Sequence, residues 1–264
     1  MQTTKMRSVK RLLKRFQKRY PKKYAILFQW HSSTRFFEAF EQTQSIFIHV
    51  PKTAGQSVAM ALYKRGIAHM TWRHWYQRNP RKFASYFKFA VLRDPIARFC
   101  SAFDYLKAGG MNDRDKKFAA AVLKRFASVD EFATALADTE LQQQVMPWWH
   151  FRPQAHFVAD EFGRSKMDML IRLEHLQTGV NQVARKLHLK VPVELPYLNQ
   201  TPVRRPEELS EEARKILTEL YRWDFALRDL ATVPSVTVLN VILFLLGCAE
   251  WFDLGAATVG ACLA

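Results

Sequence analysis

The sequence predicts an α/β domain: a P-loop-like parallel sheet flanked by helices, in a single catalytic domain with an extension at each end. Three observations predict it. Short apolar runs recur, and each is followed by a stretch with helical spacing. The first two runs end in turns that combine proline, a basic residue and, in the first, glycine. About half of the 264 residues are apolar, with 20 phenylalanines and 7 tryptophans, enough to fill a large core.

Ser45 to Val50 is an apolar run of strand length, and Gln56 to Lys64 carries a helix that ends near Gly66. Phe87 to Arg93 reads as the second strand, followed by a helix from Ile96 to Lys107 that Gly109 and Gly110 stop. Ser128 and Glu131 make a capping box for a helix through Ala137. Asp168 to Leu173 reads as the third strand, with His175 to Leu187 as the helix behind it. Ser210, followed by Glu211 and Glu212, starts a last helix that runs to about Leu230. Strands alternating with helices imply a parallel sheet that binds ligands at the carboxyl ends of its strands. The domain spans 35–231, between a basic extension (1–34) and an apolar tail (232–264).

Charge and cysteine usage narrow the function classes. The net charge is +16, and ten Lys and Arg fall between Lys5 and Lys23, before the first acidic residue, Glu38. Val9, Leu12, Leu13 and Phe16 lie at helical spacing among those cations, which suits an anionic membrane surface or a polyanion; a solvated basic arm is the alternative. In the tail, 14 uncharged residues follow Ser235, too few for a bilayer span and suited to a buried or interfacial helix. No base-reading element accompanies the basic arm, so nucleic acid is not expected as a partner. Three cysteines without paired spacing, and no secretory leader, lead to the expectation of a cytoplasmic protein, peripheral at the inner membrane face.

The first turn, PKTAGQS, holds the chemistry. A strand that turns sharply through Pro51, Lys52 and Gly55 into a helix leaves several backbone N–H groups pointing one way. With Lys52, the small residues Ala54 and Gly55, and the hydroxyls of Thr53 and Ser57, it suits a phosphate-like group. The lysine precedes the glycine, so the Walker pattern is absent and an ATPase or kinase is disfavoured. The second turn puts Arg93 at a strand tip and Ser101 one and a half turns into the next helix, on a face shared with Arg98 and Tyr105. There a guanidinium fork and a hydroxyl suit a second anion. The alternative is a surface pair of Arg93 with Asp94 and a solvated Ser101. Two anion sites on adjacent strand ends fit one doubly charged nucleotide.

FIHVPKTAGQS followed by FKFAVLRDPIARFCSAF resembles the paired signature of the sulfotransferases that use 3′-phosphoadenosine 5′-phosphosulfate, in their carbohydrate sulfotransferase-like branch (sulfotransferase family 2). HFRPQ (His150 to Gln154), IRLEHL (Ile171 to Leu176) and LNQT (Leu198 to Thr201) are similar to later landmarks of that branch. The resemblance implies that Lys52, Thr53, Ala54, Gly55, Gln56 and Ser57 bind the 5′-phosphosulfate and that Arg93 and Ser101 bind the 3′-phosphate. Arg152 and Thr201 are then expected at the nucleotide too. It further implies that Lys52 faces the leaving oxygen, that no metal is required, and that a histidine takes the proton of the acceptor hydroxyl. His69 fits the family's His-x-Thr stretch. His74, which could instead pack on Trp72 or Trp75, and His150, beside Trp148 and Trp149, are the other candidates. The tryptophans would either line a sugar site or belong to the core. The implied acceptor is a hydroxyl of a carbohydrate or related compound; the competing reading is a nucleotide- or polyanion-binding protein at a membrane surface, without turnover.

Overall fold

The computed structural model describes residues 37–196 and 209–231. The basic extension, the apolar tail and the loop holding Thr201 lie outside the described residues. A short helix, α1 (Glu38–Thr43), precedes β1 (Ser45–Ile48). The first turn leads to α2 (Gly55–Tyr63), and α3 (Trp72–Arg78) and α4 (Pro80–Ser85) lead on to β2 (Phe87–Leu92). Next come α5 (Pro95–Lys107), α6 (Asp113–Phe118), a π-helical stretch (Ala119–Leu123), α7 (Val129–Ala135) and α8 (Thr139–Val145). Then α9 (Gln154–Val158) returns the chain to β3 (Met169–Arg172), a 3-10 turn (Leu173–His175) and α10 (Leu176–Lys186). Finally α11 (Glu211–Leu220) and α12 (Arg222–Leu230) pack back on the domain.

The three strands form one parallel sheet in the order β1-β2-β3, with Phe47 opposite Phe89 and Leu92 opposite Arg172. Every residue of β1, and all but the first of β2, is buried, as expected of parallel strands covered on both faces. Lys88 is tolerated inside β2 because Asp168 receives both its backbone N–H and its ammonium group. Two apolar cores result. One surrounds the sheet, and the other gathers Phe99, Phe103, Phe132, Phe151 and Tyr221 among α5, α7 and α11. Each such fully buried phenylalanine contributes about 2 kcal/mol of transfer free energy.

The predicted strands and helices stand within one or two residues of their expected ends, with one exception. The last helix, predicted as one piece to Leu230, is broken at Tyr221 (φ −110°, ψ 20°). Tyr221 is fully buried, and its hydroxyl donates to the Phe151 carbonyl at 2.5 Å, so the break aims the next helix at the segment before α9. Among the described residues no helix is long and apolar enough to cross a membrane.

Candidate active site

The site begins where β1 ends. Val50 N–H bonds back to the Ile48 carbonyl at 3.1 Å, and the chain then turns through two left-handed residues, Lys52 (φ 69°) and Ala54 (φ 57°), before α2 starts. Non-glycine residues in that region carry strain of about 1–3 kcal/mol each, which the surrounding packing must hold. Thr53, fully buried, donates its hydroxyl to the Val50 carbonyl at 3.0 Å. Its side chain therefore closes the loop from inside, and its hydroxyl proton is committed to Val50 and not to a ligand, contrary to the expectation for that hydroxyl; its backbone N–H is untouched by this contact. Ala54 caps α2 without a side-chain hydrogen bond, so the N–H groups of the first turn stay open to an incoming acceptor. Gln56 is exposed there, and Ser57 is buried.

Gly55 has a reason to be small in addition to the one expected. A Cβ at this position would lie 1.9 Å from His49 Cδ2, so the missing side chain makes room for the His49 ring and not only for a ligand. Gly55→Ala is expected to destabilise the fold by about 1–3 kcal/mol through overpacking, read as a lowered melting temperature.

Arg93, at the tip of β2, points its Nη1 at the Lys52 carbonyl, 3.5 Å away, so the two strand ends stand side by side. The alternative pairing with Asp94 is not what the structure holds: Asp94 caps α5 by accepting from Ala97 N–H at 2.9 Å and meets Arg228 at 3.5 Å. The Arg93 backbone is gripped by the side-chain amide of fully buried Gln154, which accepts from its N–H at 3.0 Å and donates to its carbonyl at 2.9 Å. That contact gives the HFRPQ landmark a physical role. Ser101 is buried on α5.

Arg98 corrects the expected polar face of α5. It is fully buried, and it donates to the His150 carbonyl at 3.0 Å and the Arg152 carbonyl at 2.8 Å, pinning the chain before α9. The Arg152 side chain is a second correction, because the structure does not bring it to Lys52 and Arg93. Its guanidinium donates to the Pro147 carbonyl at 2.6 Å, meets His156 Nε2 at 3.3 Å and lies over Trp149. It thereby lines a separate surface hollow of about 560 Å³ with Arg73, His156 and Trp223. Trp148 stacks on Phe118 beside the helical core while Trp149 stays exposed, so the two tryptophans do not share one role.

Lys52 Nζ sits 4.2 Å over the Tyr105 ring. Burial first, and then the charge of Arg93, bring its pKa down to about 8, against the opposite pull of Asp104 and Asp115. His69 stands beside it. Its Nδ1 donates to the His49 carbonyl at 3.0 Å, and its ring lies 4.0 Å from that of His49. Burial holds His69 below the ordinary histidine pKa, as does the charge of Lys52; the His49 carbonyl and Asp115 oppose the fall. His49 likewise donates from Nδ1 to the Ile67 carbonyl at 2.6 Å, and burial brings it down to about 3. His74 belongs elsewhere, on α3, edge-on to Trp75 and 3.4 Å from Arg78 Nη1. His150 turns Nε2 toward Asp115 Oδ1 at 3.4 Å, and its Nδ1 is buried without a hydrogen-bond partner. Residues that sequence reasoning missed are therefore His49, Tyr105 as the ring beneath Lys52, Asp115 and the grip of Gln154. Tyr105, from its place on α5, and Gln154, from the HFRPQ landmark, carried a signal, and His49 lies inside the first motif without one of its own; Asp115 carried none. Among the described residues no group of three or more His, Cys, Asp or Glu side chains is placed to hold a metal ion.

Against known proteins, a model described as the sulfotransferase family (family 2) matches residues 37–229, nearly the whole described domain. No curated protein and no solved structure matches the chain. With β1, its turn, β2, β3 and the closing helices all inside the matched span, the chain belongs to the sulfotransferase family.

Proposed function

We propose that the protein transfers a sulfuryl group from 3′-phosphoadenosine 5′-phosphosulfate to a hydroxyl of a carbohydrate or related acceptor. The observation that carries this reading is the meeting of Lys52 and Arg93 at neighbouring strand tips, with the uncapped start of α2 beside them. Two cations and a helix N-terminus fit the two phosphate positions of such a donor. When bound, the donor supplies the sulfuryl group and a phosphate leaving group.

The chain's own residues have distinct tasks. The N–H groups at the start of α2 hold the 5′-phosphate, and Arg93 holds the 3′-phosphate. Lys52 stabilises negative charge on the leaving oxygen as the sulfur–oxygen bond to phosphate breaks and the bond to the acceptor oxygen forms. His69 receives the acceptor proton. Its Nδ1–H is committed to the His49 carbonyl, so Nε2 bears the lone pair, and a lowered pKa keeps the ring neutral near pH 7. His150 is the weaker base because its free nitrogen, Nδ1, is buried.

Calorimetry with 3′,5′-adenosine bisphosphate set against ATP and Mg²⁺ tests the donor. Preference for the bisphosphate by at least about tenfold, or 1.4 kcal/mol, is expected; preference for ATP would overturn the reading. Tight bisphosphate binding with no transfer to any hydroxyl acceptor would leave a nucleotide-binding protein without turnover.

A further inference from the structure

Asp115 is absent from every motif that led to the site, yet it touches two of the side chains that surround Lys52 and His69, Tyr105 and His150. It is 3% exposed, and its Oδ2 accepts from the Tyr105 hydroxyl at 2.8 Å and from Asn112 Nδ2 at 2.8 Å. The Met111 N–H approaches the same oxygen at 3.4 Å and the Tyr105 hydroxyl at 2.9 Å. The other carboxylate oxygen faces His150 Nε2 at 3.4 Å. The His150 ring packs 4.8 Å from the Tyr105 ring on one side and 6.4 Å from the His69 ring on the other. Lys52 rests on the Tyr105 ring. One buried carboxylate thus fixes the ring that carries the lysine and stands against the histidine next to His69.

We propose that Asp115 is the positioning residue of the cleft: by holding Tyr105 and facing His150 it fixes the wall between Lys52 and His69 and supplies the negative charge that both cationic forms need. This deepens the transferase reading and rests on it. The charged and titratable groups around the cleft are Lys52 from the first turn, His49 from the end of β1 and His69 from the chain after α2. Arg93 comes from the tip of β2, Arg98, Asp104 and Tyr105 from α5, and His150 from the chain before α9. Asp115 favours the protonated forms of Lys52, His69 and His150 alike, which agrees with the geometry.

The sign of its removal follows. Without the carboxylate charge, His69 gives up its proton at lower pH, and so does Lys52. In Asp115→Asn both limbs of the pH profile of kcat are therefore expected to move to lower pH, with kcat at the optimum down by about tenfold or more. A purely structural role would lower kcat with the limbs unmoved. Tyr105→Phe keeps the ring and the charge and is expected to leave both limbs in place; Asp115→Glu is expected to restore them. Histidine titration by NMR, with His69 and His150 assigned through His69→Gln and His150→Gln, needs no turnover. It separates failure of this proposal from failure of the transferase reading. Midpoints of both histidines should fall in Asp115→Asn, or in the smaller Asp115→Ser should the amide not fold. Midpoints and limbs that stay at their wild-type values overturn the proposal.

Discussion

Lys52→Ala is expected to lower kcat/KM for sulfuryl transfer by about 10²- to 10³-fold, the usual loss when one preorganised electrostatic donor is removed from an acyl- or phosphoryl-type site. Melting temperature should barely change, because the Lys52 ammonium rests on the Tyr105 face and, among the described residues, forms no ion pair or hydrogen bond that holds two elements of the fold together. The lysine is needed in its charged form. Since burial and Arg93 bring its pKa down to about 8, activity is expected to fall as pH rises through about 8, well below the range of an exposed lysine. Lys52→Arg supplies the internal check. A guanidinium keeps its charge across that range, so the variant should lose the alkaline fall while retaining part of the activity. Alanine at wild-type kcat/KM, for every acceptor that wild type sulfates, would remove Lys52 from the chemistry.

The parts of this site that are contiguous in the chain were legible in sequence. PKTAGQS and the turn after β2 each combine a strand end, a turn and a helix start within about ten residues, so local propensity and cap chemistry specify them. The three parallel strands follow from the same alternation, and the family match over 37–229 agrees. What could not be read depends on contacts across long separations. Asp115 reaches His150 over 35 residues, and Gln154 reaches the Arg93 backbone over 61. No periodicity marks either pair. Helical spacing put Arg98 on a polar face because it assumed that an arginine seeks water. A second layer of helices covers that face, and carbonyls of the chain before α9 accept from both Nη groups of the guanidinium instead, while its Nε is buried without a partner. Gly55 shows the opposite limit: a glycine was rightly judged to be needed, but the group requiring the space, His49, only appears once the strand and helix are folded together.

The second large effect is expected far from the ligand. Asp224 of α12 is fully buried, and its two carboxylate oxygens accept from the Gln154 and Ala155 N–H groups, each at 2.8 Å. Burial raises its pKa, while the charge of Arg98 and these N–H bonds pull the other way. Asp224→Leu keeps the bulk but leaves two buried N–H donors unpaired and the Arg98 guanidinium without its counter-charge. An uncompensated buried charge costs about 3–5 kcal/mol, which for a chain of this length corresponds to a fall in melting temperature of about 10 °C. The consequence should reach the nucleotide site. Asp224 anchors the start of α9, Gln154 at that start holds both backbone groups of Arg93, and Arg93 faces Lys52. At temperatures where the variant is folded, affinity for 3′,5′-adenosine bisphosphate is therefore expected to drop about tenfold, and Gln154→Leu should reproduce the affinity loss with a smaller loss of stability. Asp224→Asn retains one acceptor oxygen and should fall between wild type and leucine. Melting at the wild-type temperature together with undiminished bisphosphate affinity in Asp224→Leu would break the chain of contacts from α12 to Arg93.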